Sequence, residues 1–320
     1  GRVKLDKETI NSEKKMYAST LNVIAENSDK GAYVQSNKNT SQIYADAMLN
    51  INKYFYHDTW NLTASLGASL LDLDYKELNF GGGLLTIPNL FTSNNANVSG
   101  KLTYKNTNYH DRTNSLFGTF SLGYKGMVYV DGSLRNDWIS ALAGTNHSSI
   151  LYPSIGASAI LTNMFTMKSN ILSYAKVRLS YSEVGNAPER FRAITTYAVL
   201  GGLNTTSYFP IKDLKPERTH SWEGGFNLGL FDNKLTPDVT AYKTYTENQL
   251  FSPEISTTTG YSKLYVNAGK VTNKGIELAL GFKQNIGPVD WKTTLLWSLN
   301  RNRIDQLLPE YTNEELGVTV

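Results

Sequence analysis

The sequence predicts an all-β chain whose antiparallel strands form the wall of a transmembrane β-barrel. Three observations carry this. First, long stretches alternate in polarity: Trp60, Leu62, Ala64, Leu66, Ala68 and Leu70 are apolar or small, while Asn61, Thr63, Ser65 and Ser69 fall between them. Successive side chains of a strand point to opposite faces, so such a segment has one oily face and one polar face. Second, the connections between these stretches are short, then long, then short again. Third, no run of about 18 apolar residues occurs, as a helical span would need, whereas a barrel strand crosses lipid with half of its residues polar.

The elements follow in order. A strand at Met16–Ile24 opens the series. Ser41–Phe55 is defined by Ile43, Ala45, Ala47, Leu49, Ile51 and Phe55 on one face, and Tyr56-His57-Asp58-Thr59 turns into Trp60–Tyr75. A long connection rich in Asn and Gly, about Lys76–Arg112, precedes Asn114–Tyr124, where Leu116, Phe120, Leu122 and Tyr124 share a side. Lys125-Gly126 turns tightly into Met127–Arg135, and a second long loop covers about Asn136–Tyr152. Pro153–Leu161 alternates through Ile155, Ala157 and Ala159. A medium connection, about Asn163–Ser173, reaches Tyr174–Val184, where Ala175, Val177, Leu179 and Tyr181 oppose Lys176, Arg178, Ser180 and Ser182.

After a third long connection, about Gly185–Arg218, Thr219–Phe231 sets Trp222, Phe226, Leu228 and Leu230 against Ser221, Glu223 and Asn227. Asp232-Asn233-Lys234 turns into Leu235–Phe251. A loop around Gly260-Tyr261 leads to Tyr265–Phe282, and Asn285-Ile286-Gly287-Pro288 turns into Val289–Arg301, with Trp291, Leu295, Trp297 and Leu299 on one face. These eleven strands rest on period-two alternation bounded by turn residues. Many exceed the roughly 9–11 residues that a tilted strand needs to cross the hydrocarbon layer.

Composition narrows the function classes. The chain has 320 residues, 40% of them hydrophobic and 20 of them Tyr. Tyr and Trp favour a boundary between dry and wet surroundings, and Trp60, Tyr124, Tyr174, Phe231 and Trp291 stand near strand ends as an interfacial girdle would. A net charge of +3 gives no case for an electrostatic nucleic-acid binder. With no cysteine, disulfides and thiolate metal sites are excluded. His57, His110, His147 and His220 lack ligand-like spacing. Asp72-Leu73-Asp74 lacks the Gly and Glu of a calcium loop, and Gly81-Gly82-Gly83 lacks the Lys and Ser or Thr of a phosphate cradle. No serine has a convincing base partner. The expectation is no catalysis, no metal and no cofactor.

One ordered series carries a resemblance. Leu214-Lys215-Pro216-Glu217-Arg218-Thr219 precedes a strand containing Glu223; Ala241-Tyr242-Lys243-Thr244-Tyr245-Thr246 follows; then come Thr259-Gly260-Tyr261 and Val266-Asn267-Ala268-Gly269-Lys270-Val271-Thr272-Asn273-Lys274-Gly275-Ile276-Glu277-Leu278. It resembles the barrel of TonB-dependent outer-membrane transporters, and more narrowly the SusC-like (RagA-like) nutrient importers of Bacteroidetes. Arg112-Thr113-Asn114-Ser115-Leu116-Phe117-Gly118, Tyr152-Pro153-Ser154-Ile155-Gly156-Ala157 and Val177 through Asn186 resemble the same family. The resemblance covers about Ser41 to Pro309.

The resemblance implies that residues 1–320 are part of one barrel domain, about eleven strands of a 22-stranded wall, with the plug, the TonB-contacting segment and the terminal strands outside this chain. It implies import of oligosaccharides or peptides across the bacterial outer membrane. It further implies a SusD-like surface lipoprotein as lid, outer-membrane lipid around the wall, and energy from TonB–ExbB–ExbD through the plug. A siderophore or cobalamin receptor, a plugless channel or structural outer-membrane protein, and a soluble glycan-binding module are the rivals. Short periplasmic turns and long extracellular loops are the rule for such barrels, so His57, Gly126, Asn233 and Gly287 are expected on the periplasmic side and the loops around Gly82, Thr145, Asn204 and Gly260 outside. Glu223, Asn227, Glu277, Lys176 and Arg178 are expected to face the lumen. Cargo contacts are expected on outward loops where aromatics and amides mix: Tyr104, Tyr109, Asn94, Asn95, Trp138, Tyr197, Asn204 and Tyr208. Pro216, Glu217, Glu223, Gly260, Tyr261, Asn267, Gly269, Asn273, Gly275 and Glu277 belong to the family motif and are read as structural, Gly269 and Gly275 as a bulge or bend.

Overall fold

The computed structural model describes residues 1–20, 29–97, 105–165, 169–192, 197–199, 203–205, 208–209, 213–308 and 310–319, with 197–199 and 203–205 described by their backbone. Eleven strands hydrogen-bond in chain order into one sheet. They are β1 (Arg2–Met16), β2 (Ala32–Phe55), β3 (Trp60–Gly83), β4 (Lys105–Tyr124), β5 (Val128–Ile139), β6 (Ser149–Ile160), β7 (Leu172–Asn186), β8 (Glu217–Leu230), β9 (Leu235–Phe251), β10 (Val266–Ile286) and β11 (Val289–Gln306). A single helical turn, Leu161–Met164, sits between β6 and β7.

Sequence and structure agree on the number of strands and differ at their ends. The strand expected at Met16–Ile24 is corrected to Arg2–Met16, which pairs residue for residue with Ala32–Asp46; residues 21–28 lie outside the described residues. β2, β3 and β4 run further toward their long connections than the oily alternation does. Their extra turns carry polar residues on both faces, as in Ser36-Asn37-Lys38-Asn39-Thr40. There the backbone ladder holds the strand and the period-two pattern is lost.

The short connections are built from left-handed residues. His57 and Asp58, Lys125 and Gly126, and Asp232 and Asn233 all have φ between 50° and 65°, and the bonds Thr59 N to Tyr56 O, Met127 N to Tyr124 O and Lys234 N to Phe231 O close them. These are mirror-image turns, whose twist matches that of the flanking strands. Gly287, at φ 60°, opens the fourth.

The chain forms two compact units: Gly1–Ala47 with Ser69–Asn114, and Met48–Ala68 with Ser115–Val320. In the first, Met16, Ala32, Tyr33, Leu84 and Ala96 are buried. Asn95 pins its loop by accepting from Thr86 N at 3.0 Å and donating to Ile87 O at 2.8 Å and Leu90 O at 3.0 Å. Tyr75 stacks on Tyr109 with centroids 4.5 Å apart.

The second unit shows what the alternation was for. The register places Val130, Ala157, Leu179, Gly224, Ala241, Ile276 and Leu299 in one row across β5–β11. Val128, Ala159, Val177, Phe226, Val239, Leu278 and Trp297 form the next row toward the short turns. Both rows are apolar throughout, and protein does not cover them: Leu179 is 58% exposed and Trp297 52%. A soluble protein seldom leaves so wide an apolar band in water. The opposite face carries Asp131, Ser180, Glu223 and Tyr242 in one row, and Arg178, Thr240, Glu277 and Ser298 in another. There Arg178 Nη2 meets Asp238 Oδ1 at 2.7 Å and Asn227 Nδ2 donates to Asp238 Oδ2 at 3.2 Å. At the turn end of the apolar face, Trp60 packs on Tyr124 at 4.7 Å and on Phe55 at 6.3 Å. Tyr174 departs from the expected girdle: its partner is Gly229, one step off the Ala175–Leu228 pair, so it stands on the polar face.

Candidate functional site

The long connections of the second unit gather around two small cores. Leu142, Ile150 and Leu214 make one; Phe209, Leu264, Val266 and Ala268 make the other. The short strand Tyr208–Phe209 runs parallel to Lys263–Leu264 and joins the connection after β7 to that after β9.

Asn267 fixes how the chain enters β8. Its Oδ1 accepts from Lys215 N at 2.8 Å, and its Nδ2 donates to Lys215 O and to Asn248 O, each at 3.0 Å. Asn248 O is available because the ladder breaks there. Asn248 and Gly269 both leave the β9–β10 register with positive φ, 60° and 82°. A side chain on Gly269 would meet the Phe251 ring at 2.5 Å.

Beside this staple lies a cavity of about 560 Å³ lined by Glu189, Arg192, Lys215, Glu217, Asn248, Tyr265 and Asn267, among others. Arg192 is its central cation. Its guanidinium lies 4.9 Å from the Tyr208 ring centroid and 4.7 Å from that of Tyr265, and it pairs with Glu189. Burial acts to lower the Arg192 pKa; the bond to Glu189 and the neighbouring tyrosines outweigh it, and the pKa is raised. Arg192 Nε is buried without a hydrogen-bond partner among the described residues. A second cavity of about 470 Å³ shares Lys215, Asn248, Tyr265 and Asn267 with the first and adds Asp213, Tyr311, Asn313 and Glu314. Aromatic faces, amides and charges of both signs therefore converge at the long-loop end.

The expected contact residues are scattered. Tyr208 lies at this site, under Arg192 and edge-on to Tyr265 at 5.3 Å. Tyr104 lies outside the described residues. Tyr109 belongs to β4 and Trp138 to β5, so both are strand residues rather than loop residues, Trp138 on the apolar face opposite Ser149. Asn95 is the loop staple of the first unit, and Asn94 lies in the same short turn, Ser93–Asn95. Tyr197 and Asn204 belong to a two-strand ribbon, Tyr197–Val199 with Leu203–Thr205.

The motif residues divide between this site and the wall. Pro216 is buried just before β8, and Glu217 lines the first cavity. Gly260, at φ 86°, ends the turn Thr257–Thr259, and Tyr261 packs edge-on against Phe209 at 5.2 Å. Glu223 accepts from Ser221 Oγ at 3.3 Å, Asn273 Oδ1 accepts from Asn302 Nδ2 at 2.9 Å, and Glu277 lies near Arg178 and Asp238 on the polar face. Gly275 is crowded: a Cβ would stand 2.4 Å from Leu299 O and 2.6 Å from the Tyr242 hydroxyl. Arg192, Glu189, Lys215 and Tyr265 were not nominated from sequence. An arginine in a long loop gives no signal until the fold sets Tyr208 of the same connection and Tyr265 of another beside it.

Comparison with known proteins agrees with this architecture. The family model described as TonB dependent receptor-like, beta-barrel matches residues 9–317. TonB-dependent receptor P39 of Formosa agariphila is 28% identical over 280 residues, covering 82% of this chain and 26% of that protein. TonB-dependent receptor SusC of Bacteroides thetaiotaomicron is 25% identical over 212 residues, 60% of this chain and 21% of that protein. The structure of the RagAB peptide transporter matches with a TM-score of 0.79 at 20% identity, over 98% of this chain and 35% of that one. The chain thus spans about a quarter of the length of the curated relatives it matches. With a family model matched over nearly its whole length, the chain belongs to the TonB-dependent receptor-like β-barrel family of the bacterial outer membrane.

Proposed function

We propose that this chain is wall and loops of a TonB-dependent importer that carries oligosaccharides or peptides across the outer membrane, beneath a SusD-like lipoprotein lid. In the longer protein that this reading implies, a separate plug domain reached by TonB–ExbB–ExbD fills the barrel. The short mirror-image turns face the periplasm and the long connections face outward. Cargo trapped under the lid meets the loop-end cavities before TonB acts on the plug.

The observation that carries this reading is the cavity of about 560 Å³ at the long-loop end, where Arg192 stands against both Tyr208 and Tyr265 and shares the lining with Glu189, Glu217 and Asn267. A guanidinium resting against aromatic rings is pre-organised to donate its outer N–H groups to a carboxylate, an amide carbonyl or a sugar hydroxyl. The test is uptake by cells carrying the complete gene and its lipoprotein partner. Size-fractionated oligosaccharides and a tryptic peptide mixture serve as separate probes. One probe class should be taken up in a TonB-dependent way, and Arg192→Gln should weaken half-saturation about tenfold, the scale of one lost charged hydrogen bond. Uptake of neither class, or uptake indifferent to TonB, refutes the proposal.

A further inference from the structure

The apolar face ends abruptly. In the row next to Leu179–Gly224–Ala241–Ile276–Leu299, on the long-loop side, the register sets Tyr181, Trp222, Lys243, Lys274 and Arg301 side by side across β7–β11. Lys243, Lys274 and Arg301 are exposed and are direct cross-strand partners. Neighbouring strands lie about 4.8 Å apart, so the three cations span roughly 10 Å. Like charges placed directly opposite one another destabilise a sheet. None of the three has an ion pair among the described residues.

The acids nearby on the same face are engaged elsewhere. Glu183 pairs with Arg218 and lies 3.6 Å from His220; Glu247 lies 3.4 Å from His220 Nε2; Asp305 lies 3.4 Å from Arg303. The cations therefore face out unneutralised at the rim of an apolar band. Trp222, 51% exposed, marks the same level as the aromatic residues that anchor barrels at the lipid–water interface.

We propose that Lys243, Lys274 and Arg301 bind the phosphates of an outer-leaflet glycolipid, with its acyl chains lying on the two apolar rows below. A membrane-borne anion fits because these side chains project from the face turned to lipid, and a headgroup with two phosphate monoesters can meet three cations spread over this span. The inference rests on the proposed orientation, with long loops outward. Its test reads lipid binding, whereas the function is tested by uptake, so one can fail without the other.

The complete protein, purified in a non-ionic detergent and stripped of native lipid, is titrated separately with diphosphorylated lipid A, dephosphorylated lipid A, phosphatidylglycerol and inorganic phosphate, and retained lipid is read by native mass spectrometry. Diphosphorylated lipid A should bind best. Lys243→Gln combined with Lys274→Gln and Arg301→Gln should weaken it on the order of a hundredfold, taking roughly the surface-electrostatic contribution of three basic residues. Lys243→Arg with Lys274→Arg should retain binding. Should the triple variant fail to fold, rising salt must still weaken binding to the wild-type protein, as screening requires. Binding unchanged in the folded triple variant or by salt, equal binding of dephosphorylated lipid A, stronger binding of phosphatidylglycerol, or equal binding of inorganic phosphate would each overturn the proposal.

Discussion

Asn267 holds Lys215 by both of its main-chain groups, accepting from its N at 2.8 Å and donating to its O at 3.0 Å. One side chain thereby sets where a long connection ends and where β8 begins. Replacing it with alanine leaves Lys215 N and Asn248 O to find water. Asn267→Ala should cost about 1–2 kcal/mol and, more tellingly, expose the segment before Pro216 to limited proteolysis of the folded complete protein. A cleavage pattern identical to wild type would show that the staple is dispensable.

The two glycines Gly275 and Gly287 should respond unequally to alanine. A Cβ at Gly275 would stand 2.4 Å from the Leu299 carbonyl oxygen, where backbone must move, so overpacking of about 3 kcal/mol is expected. Gly287 has nothing within 4 Å and only its positive φ to defend, which costs an alanine about 1–2 kcal/mol. Heat-dependent electrophoretic mobility of the two variants ranks them directly; an equal shift would contradict the packing described for β10 and β11.

The two faces of β7 offer a third comparison. Val177 lies in a wholly apolar row between Ala159 and Phe226, whereas Ser180 on the other face neighbours Gly156 and Glu223. Val177→Arg should destabilise the barrel by about 2–4 kcal/mol, the range for a charge near the bilayer midplane. Ser180→Arg should be nearly neutral. Folding yields into lipid vesicles measure both, and a tolerated Val177→Arg would mean that lipid does not touch this face.

Much of the wall was legible because lipid imposes a strict rule on one face. Leu235–Phe251 was read with the same bounds that the structure gives β9. The rule lapses where strands leave the hydrocarbon. Arg2–Met16 alternates Lys4, Asp6 and Glu8 with Val3, Leu5, Lys7 and Thr9, leaving no clean oily face, and its pairing with β2 is held by backbone bonds to which sequence pattern is blind. The site was less legible for a related reason. Tyr208 could be nominated as a loop aromatic, but its meaning depends on Arg192, earlier in the same connection, and on Tyr265, which reaches it from the connection after β9. Asn267 stood in a recognisable motif, yet its partner Lys215 is far away in the chain and only the β9–β10 irregularity brings Asn248 to the same amide.

Because each strand of the wall lies beside its immediate predecessor, this sheet can be assembled as a zipper. Such local pairing demands no long search through conformations. Every finished hairpin offers its last strand as the template for the next, so a growing wall exposes one fixed edge at its first strand and one moving edge at its last, and a cell must shield both until the circle is complete.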